Sequence, residues 1–273
     1  YMRANREQRQ TRFYVLFAVA LSAVMGIAFA GNLLTLFLFY EILTLSTYPL
    51  VAHKGDPATL RSARTYLGVL LGTSIGLLLP AIIWTYLLAG TGTFAPQGIL
   101  RGRPDLKAVG LLLGLYMFGI AKAAMMPVHR WLPAGMVAPT PVSALLHAVA
   151  VVKAGVFSAM KVLVYVFGVD FLFAQPSAQW LLYSASFTII AASVVALRQQ
   201  NLKRLLAYST IAQLSYIVMA AALLKPLAEI GAAVHMVAHA FGKITLFFAA
   251  GAIYTAAKKT EVSQLRGIGR RMP

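Results

Sequence analysis

The stretch LLTLFLFYEILTLSTYPLVA, Leu33 to Ala52, sets a single carboxylate, Glu41, in the middle of a run with no other charge. At 1.5 Å per residue such a run is about 30 Å long, the hydrocarbon thickness of a bilayer. Working outward, similar runs cover Phe13–Ala30, Tyr66–Leu88, Val109–Met126, Val142–Val169, Trp180–Leu197, Leu205–Leu224 and Glu229–Ala257. None alternates with the period of two that a strand requires, and all are long for strands. The reading is an all-α polytopic transmembrane bundle of about eight spans. The chain is 60% hydrophobic and 11% charged, where soluble domains carry about a quarter charged residues. Residues 1–273 are read as one transmembrane domain, a fragment of a longer chain, with 1–12 as a polar lead-in and 258–273 as a loop. The lead-in and the run behind it lack the pattern of a cleaved signal peptide.

The formal charge of +17 invites a nucleic-acid partner, but the basic residues flank apolar runs and form no stripe with interleaved aromatics. Membrane topology explains them better. With eight spans, one side receives Arg3, Arg6, Arg9, Arg12, Lys54, Arg61, Arg64, Arg130, Arg198, Lys203, Arg204, Lys258, Lys259, Arg266, Arg270 and Arg271. The other receives Arg101, Arg103, Lys107 and Lys225. The positive-inside rule then places both ends in the cytoplasm of a bacterial inner membrane. Cysteine is absent, which excludes disulfides, iron–sulfur clusters and thiolate zinc sites within these residues. Gly68, Gly72 and Gly76, and again Gly110 and Gly114, have the spacing of close helix–helix packing. Pro80 is expected to kink the third span.

The remaining ionisable residues lie at membrane depth, where each costs about 3 kcal/mol or more. Glu41 is eight residues past Leu33, roughly 12 Å deep, too far to snorkel. It is either a structural ion pair or protonated carboxyl, or a charge-pairing group in transport. Lys122 stands late in the fourth span beside Pro127–Pro133, whose prolines forbid a regular helix, so a broken helix is expected near 126–134. Irregular backbone at depth is tolerated where it is buried in protein or lines a watery cavity. Glu41 is the candidate anion for Lys122. His147 and Lys153 are six residues apart, about 240° of regular helix, so they can border one cavity without sharing a face. Lys161, nearer a span end, is read as structural. His235, His239 and Lys243 recur every four residues, a polar stripe about 12 Å long on one helix. The His-x-x-x-His pair suits zinc poorly, because no Cys or carboxylate is close in sequence and a lysine follows. A line of titratable groups is the favoured reading, with no metal and no cofactor.

KAAMMPVHRWLP (Lys122–Pro133), followed by APTPVSALLH (Ala138–His147), resembles the signature of the antiporter-like subunits shared by respiratory complex I and the Mrp cation/proton antiporters. NLKRLLAYSTIAQ (Asn201–Gln213) and the segment His235–Gly251 resemble two further motifs of that family. The resemblance implies a half-channel built of inverted five-helix repeats, of which this chain would supply the fourth to eleventh helices. Glu41 matches the family glutamate, Lys122 the lysine of the first broken helix, His147 the connecting histidine and Lys243 the central lysine. Lys153 occurs in some members only. Asn201 stands where an acidic residue is common, Arg130 is unusual, and a second broken helix would lie past Pro273.

The expected function is proton translocation in a multisubunit cation/proton antiporter, Mrp-like, with this chain as its D-type component. Glu41, Lys122, His147, Lys153, His235, His239 and Lys243 form the proton path. The alternatives are a membrane-arm component of an NADH-quinone oxidoreductase or membrane-bound hydrogenase, with no redox site in this chain, and a non-transporting scaffold. The expected partners are other membrane subunits, the lipid bilayer, and protons with Na+ or K+.

Overall fold

The structure is a computed structural model describing residues 1–102 and 108–272; the topological assignments of Arg103 and Lys107 fall outside these. Every regular element among the described residues is helical. Helix α1 (Gln10–Phe29) and α2 (Leu33–Val51) form a hairpin turned at Gly31-Asn32, where the Asn32 carboxamide caps α2 by accepting the Thr35 N–H at 2.7 Å. Helix α3 (Pro57–Thr73) is capped by Asp56 and passes through a π-turn at Ser74–Leu78 into α4 (Leu79–Ala89). The wider turn sits directly before Pro80, whose missing N–H breaks the ordinary ladder. Bonds from the Thr59 hydroxyl and N–H hold the exposed Asp56 carboxyl below its ordinary range, so the cap is charged at neutral pH.

Seven helical segments among the described residues are long and apolar enough to cross a membrane, one fewer than the sequence suggests. The difference lies in the fourth run. Helix α5 covers only Val109–Gly119; one tight turn follows at Ala121–Ala123, then short pieces at Val128–Arg130, α6 (Trp131–Ala134) and Gly135–Val137. The break therefore opens at Ile120, not at Pro127, and Lys122 lies inside it. Two causes stand out. Gly119 presses on the backbone of Leu78, where a Cβ would sit 2.5 Å from the Leu78 nitrogen. Ala124 adopts a left-handed φ of 56°, which no helix continues through.

The discontinuous segment still runs from one end of the bundle to the other. Gly110 meets the Ser177 carbonyl at the end where Lys161 donates to the carbonyls of Ala28 and Ala30 and Phe94 packs on Tyr165. Ala138 sits at the opposite end, in a cavity of about 280 Å³ shared with Tyr1, Lys54, Asn201, Lys203 and Lys259. Lys161 thus ties the carboxyl end of α1 in place, as a structural lysine should. Next comes one long curved span: α7 (Thr140–Ala144), a π-turn at Leu145–Val149, α8 (Val151–Val162) and a second π-turn at Leu163–Phe167. After α9 (Val169–Phe173) come α10 (Trp180–Leu197), α11 (Leu202–Ala222) and α12 (Pro226–Ala257), with α13 (Ile268–Arg271) last.

The glycine spacing has a different meaning from the one expected. Nothing lies within 4 Å of a Cβ built at Gly68, Gly72 or Gly76, so that stripe packs against no part of the described chain. Gly110 does make a close contact, and Gly114 only an ordinary one with Trp180. Large apolar side chains such as Leu34, Phe187, Leu197 and Phe241 point outward, as lipid-facing surfaces do.

The α11 start explains one departure from the family motif. The Asn201 carboxamide accepts the Arg204 N–H at 3.2 Å and donates to Glu261 at 3.2 Å. An aspartate could cap but not donate, and would face the Glu261 carboxylate. Asn201→Ala is therefore expected to lower stability by about 1 kcal/mol through loss of the cap. Asn201→Asp should be less stable than the parent, because the two carboxylates face each other at this contact. Thermal unfolding of the purified full-length protein across pH measures both.

Candidate functional site

The buried ionisable residues fall into two groups, one on either side of α8. The first is built around the break. Lys122 is fully buried; its ammonium donates to the Tyr40 carbonyl at 2.9 Å and to the Thr44 hydroxyl at 2.6 Å, and sits 3.1 Å from the centroid of the Tyr40 ring. Its own backbone N–H donates to the Tyr40 hydroxyl at 3.2 Å. One wall of α2 thus holds this lysine by a carbonyl, a hydroxyl and an aromatic face, the last a cation–π contact strengthened by exclusion of solvent. Other groups freed by the break also find partners: the Trp131 indole donates to the Ala121 carbonyl at 2.7 Å, and the Met126 N–H to Thr188 at 3.3 Å. Trp131 is fixed in turn by edge-on packing with Tyr66, whose hydroxyl shares a 2.7 Å bond with Thr47.

Glu41 lies between Tyr40 and Thr44 in the chain, yet it does not bond Lys122. Both carboxylate oxygens are buried and lack a hydrogen-bond partner among the described residues. Glu41 remains the candidate anion for Lys122, but the short bonds of the ammonium go to Tyr40 and Thr44. A buried carboxyl without a hydrogen-bond partner is costly to keep at this depth.

The second group joins α8, α11 and α12. Lys153 hydrogen bonds to His239 through Nδ1, and the His239 ring stacks on His235 at 6.2 Å between centroids. An ammonium only donates, so with Lys153 charged the His239 Nδ1 accepts and its proton sits on Nε2; moving one proton from lysine to imidazole reverses the donor. Both Nε2 of His239 and Nε2 of His235 lack partners among the described residues. Lys243, one turn after His239, is buried and donates to Ser209 of α11 at 2.9 Å. His147 is wholly buried, packs 5.3 Å from the Phe247 ring, and has neither ring nitrogen satisfied within the described residues. The π-turn at Leu145–Val149 lies between His147 and Lys153, so regular helix spacing does not describe their relative orientation.

The sequence singles out every ionisable member of these groups but none of their neutral partners. Tyr40, Thr44 and Ser209 are polar positions within apolar runs, and only the fold shows which lysine each serves, as it shows that Trp131 serves the Ala121 carbonyl. The protein atoms form no unbroken hydrogen-bonded line from Lys122 to Lys243 among the described residues. No three His, Cys, Asp or Glu side chains among them gather as metal ligands would.

Comparison with known proteins gives the family. The profile of the family described as NADH:quinone oxidoreductase/Mrp antiporter, TM matches residues 30–273. The chain is 34% identical over 271 residues to a probable K(+)/H(+) antiporter component of the A/B type from Rhizobium meliloti, covering 96% of this chain and 26% of that one. It is 32% identical over 277 residues to the N subunit of an NADH-quinone oxidoreductase from Desulforudis audaxviator, covering all of this chain and 54% of that one. Among solved structures, it resembles the Mrp complex from a Dietzia species (TM-score 0.79, 29% identity, 89% of this chain and 26% of that one). It also resembles a membrane-bound sulfane sulfur reductase, an archaeal respiratory membrane complex (TM-score 0.81, 27% identity, 93% and 52%). The chain belongs to the NADH:quinone oxidoreductase/Mrp antiporter membrane family, is a multi-pass membrane protein, and spans between a quarter and about half of these relatives.

Tyr40→Phe keeps the ring and the carbonyl but leaves the buried Lys122 N–H without an acceptor, at a cost of about 1–3 kcal/mol. The variant is expected to lower the thermal midpoint of the full-length protein in detergent. An unchanged midpoint would mean that the Tyr40 hydroxyl does not hold the break.

Proposed function

We propose that this chain is a proton-translocating part of a cation/proton antiporter of the Mrp type, lying in a bacterial cytoplasmic membrane with its basic end toward the cytoplasm. The single observation that carries the reading is the set of buried groups. Lys122, Lys153, Lys243, His147 and His239 are buried in the bundle, and the Glu41 carboxylate oxygens and the Nε2 of half-buried His235 are buried too, at a cost no scaffold requires. Each can take up or release a proton, and adjacent charges bias one another. A proton on Glu41 removes the anion that favours a charged Lys122. A charged Lys122 or Lys243 in turn disfavours a second proton nearby, so occupancy at one group moves occupancy at the next.

On the α12 side, Lys153 and His239 share one proton position, with His235 stacked beyond them. Lys243 stands between this pair and His147 and transfers through water, since Ser209 occupies only one of its donors. The antiporter branch is favoured by the overall likeness of the His147–Lys153 segment, and the D-type assignment is kept as part of this proposal, although the antiporter relative above is of the A/B type. Partners are further membrane subunits, and the exchanged ion is a monovalent cation.

A second reading, a proton-pumping arm of a redox-linked complex, is favoured by the likeness to the oxidoreductase N subunit and to the sulfane sulfur reductase. Both readings assign the same groups the same work. Copurifying subunits separate them, because redox-linked complexes bring iron–sulfur partners that this cysteine-free chain cannot replace.

Vesicles holding the full parent complex test the shared claim. Lys243→Ala and Glu41→Ala are each expected to assemble on a native gel and to lose proton flux at least about tenfold, a barrier increase of roughly 1.4 kcal/mol or more. Assembled variants with parental flux would make these charges structural.

A further inference from the structure

The two groups of ionisable residues meet at one backbone contact. Gly155 lies inside α8, where glycine costs about 1 kcal/mol relative to alanine and so needs a reason. A Cβ at this position would stand 2.2 Å from the carbonyl carbon of Lys122 and 2.4 Å from the nitrogen of Ala123. Both atoms are backbone, and no side-chain rotation relieves the clash. Helix α8 therefore touches the Lys122 turn backbone to backbone, an approach open only to glycine. The glycines at 68, 72 and 76 have open space around them and show no such demand.

The turn that Gly155 touches has little freedom left. Tyr40 accepts the Lys122 N–H, Trp131 donates to the Ala121 carbonyl, and Ala124 closes the turn in a left-handed conformation costly for a residue with a side chain. Gly155 blocks the remaining side. Two residues earlier on the same helix, about 3 Å along its axis, Lys153 makes its bond to His239.

We propose that Gly155 is a positioning residue that sets the place of Lys122 on the α2 wall and makes the Lys122 group and the Lys153–His239 pair move together. Close-packed backbone does not compress, so a displacement of α8 at Lys153 is passed to Lys122. The displacement alters the distance from the ammonium to Tyr40, Thr44 and Glu41. This coupling rests on the proton-path reading above, and deepens it by naming the contact through which the two groups communicate.

The test uses the full-length protein in its parent complex, reconstituted in vesicles, with proton flux followed across pH. Gly155→Ala is expected to assemble and to move the midpoint of the flux–pH profile by at least about half a unit, because it shifts a titrating group among its partners. Gly72→Ala, a methyl added into open space, should keep the parental profile. A Gly155→Ala profile that matches the parent, or is scaled down equally at every pH, overturns the positioning role and leaves a packing contact only. Should Gly155→Ala fail to assemble, Ala123→Gly decides, since it loosens the same turn without adding bulk. A moved midpoint supports the proposal and an unmoved one overturns it. Lys122→Ala separates the two levels. If its flux is parental, the proton-path reading falls and this coupling with it; if its flux is lost while the Gly155→Ala midpoint stays put, only the coupling falls.

Discussion

A helix interrupted inside an apolar bundle must satisfy every backbone group that the interruption frees, and this constraint organises the protein. The cost of one orphaned N–H or C=O at membrane depth is several kcal/mol, comparable to a large share of a domain's net stability. Here the Ala121 carbonyl is met by Trp131, the Lys122 N–H by Tyr40 and the Met126 N–H by Thr188. Those three partners come from the broken segment itself, α2 and α10, so the break cannot form until the helices around it are in place. Its product is a turn fixed closely enough to hold one ammonium against Tyr40 and Thr44.

What the sequence reveals follows from which forces act locally. Spans are legible because length and apolarity alone decide them. Pro127 and Pro133 announce the break but not its start, which depends on Gly119 meeting Leu78, residues 41 positions apart in the chain. The stripe at Gly68, Gly72 and Gly76 misleads because small-residue spacing says that a close approach is possible, not that a neighbour is present. Gly155, isolated in an apolar run, carries no periodic signal, and its contact is with the backbone of a lysine far away in the chain.

The candidate site shows the same division. Charged residues in apolar runs announce themselves by their cost, and Glu41, Lys122, His147, Lys153, His235, His239 and Lys243 are all legible for that reason. Their pairing is not. Glu41 could be named only as a candidate anion for Lys122; the lysine's hydrogen bonds go to neutral partners, and the carboxylate lacks one among the described residues. That arrangement suits a proton carrier better than a tight pair would. Short charge–charge bonds lock both partners in their charged forms, whereas a lysine held by a carbonyl and a hydroxyl keeps its place while a neighbour's charge changes.

The central claim is that Lys122 is retained for proton transfer in spite of its cost to the fold. Lys122→Met keeps the length of the side chain and removes the charge. Thermal stability and proton flux of this variant, measured on one preparation of the full-length complex in vesicles, separate the two roles. Removing Lys122 alone leaves the buried Glu41 carboxyl without a compensating charge, which destabilises, so the thermal midpoint by itself does not decide between the roles and flux does. The account predicts an assembled complex that has lost proton flux, even where its thermal midpoint falls. A lowered midpoint with flux retained would contradict it, and would make Lys122 a structural pin of the broken helix.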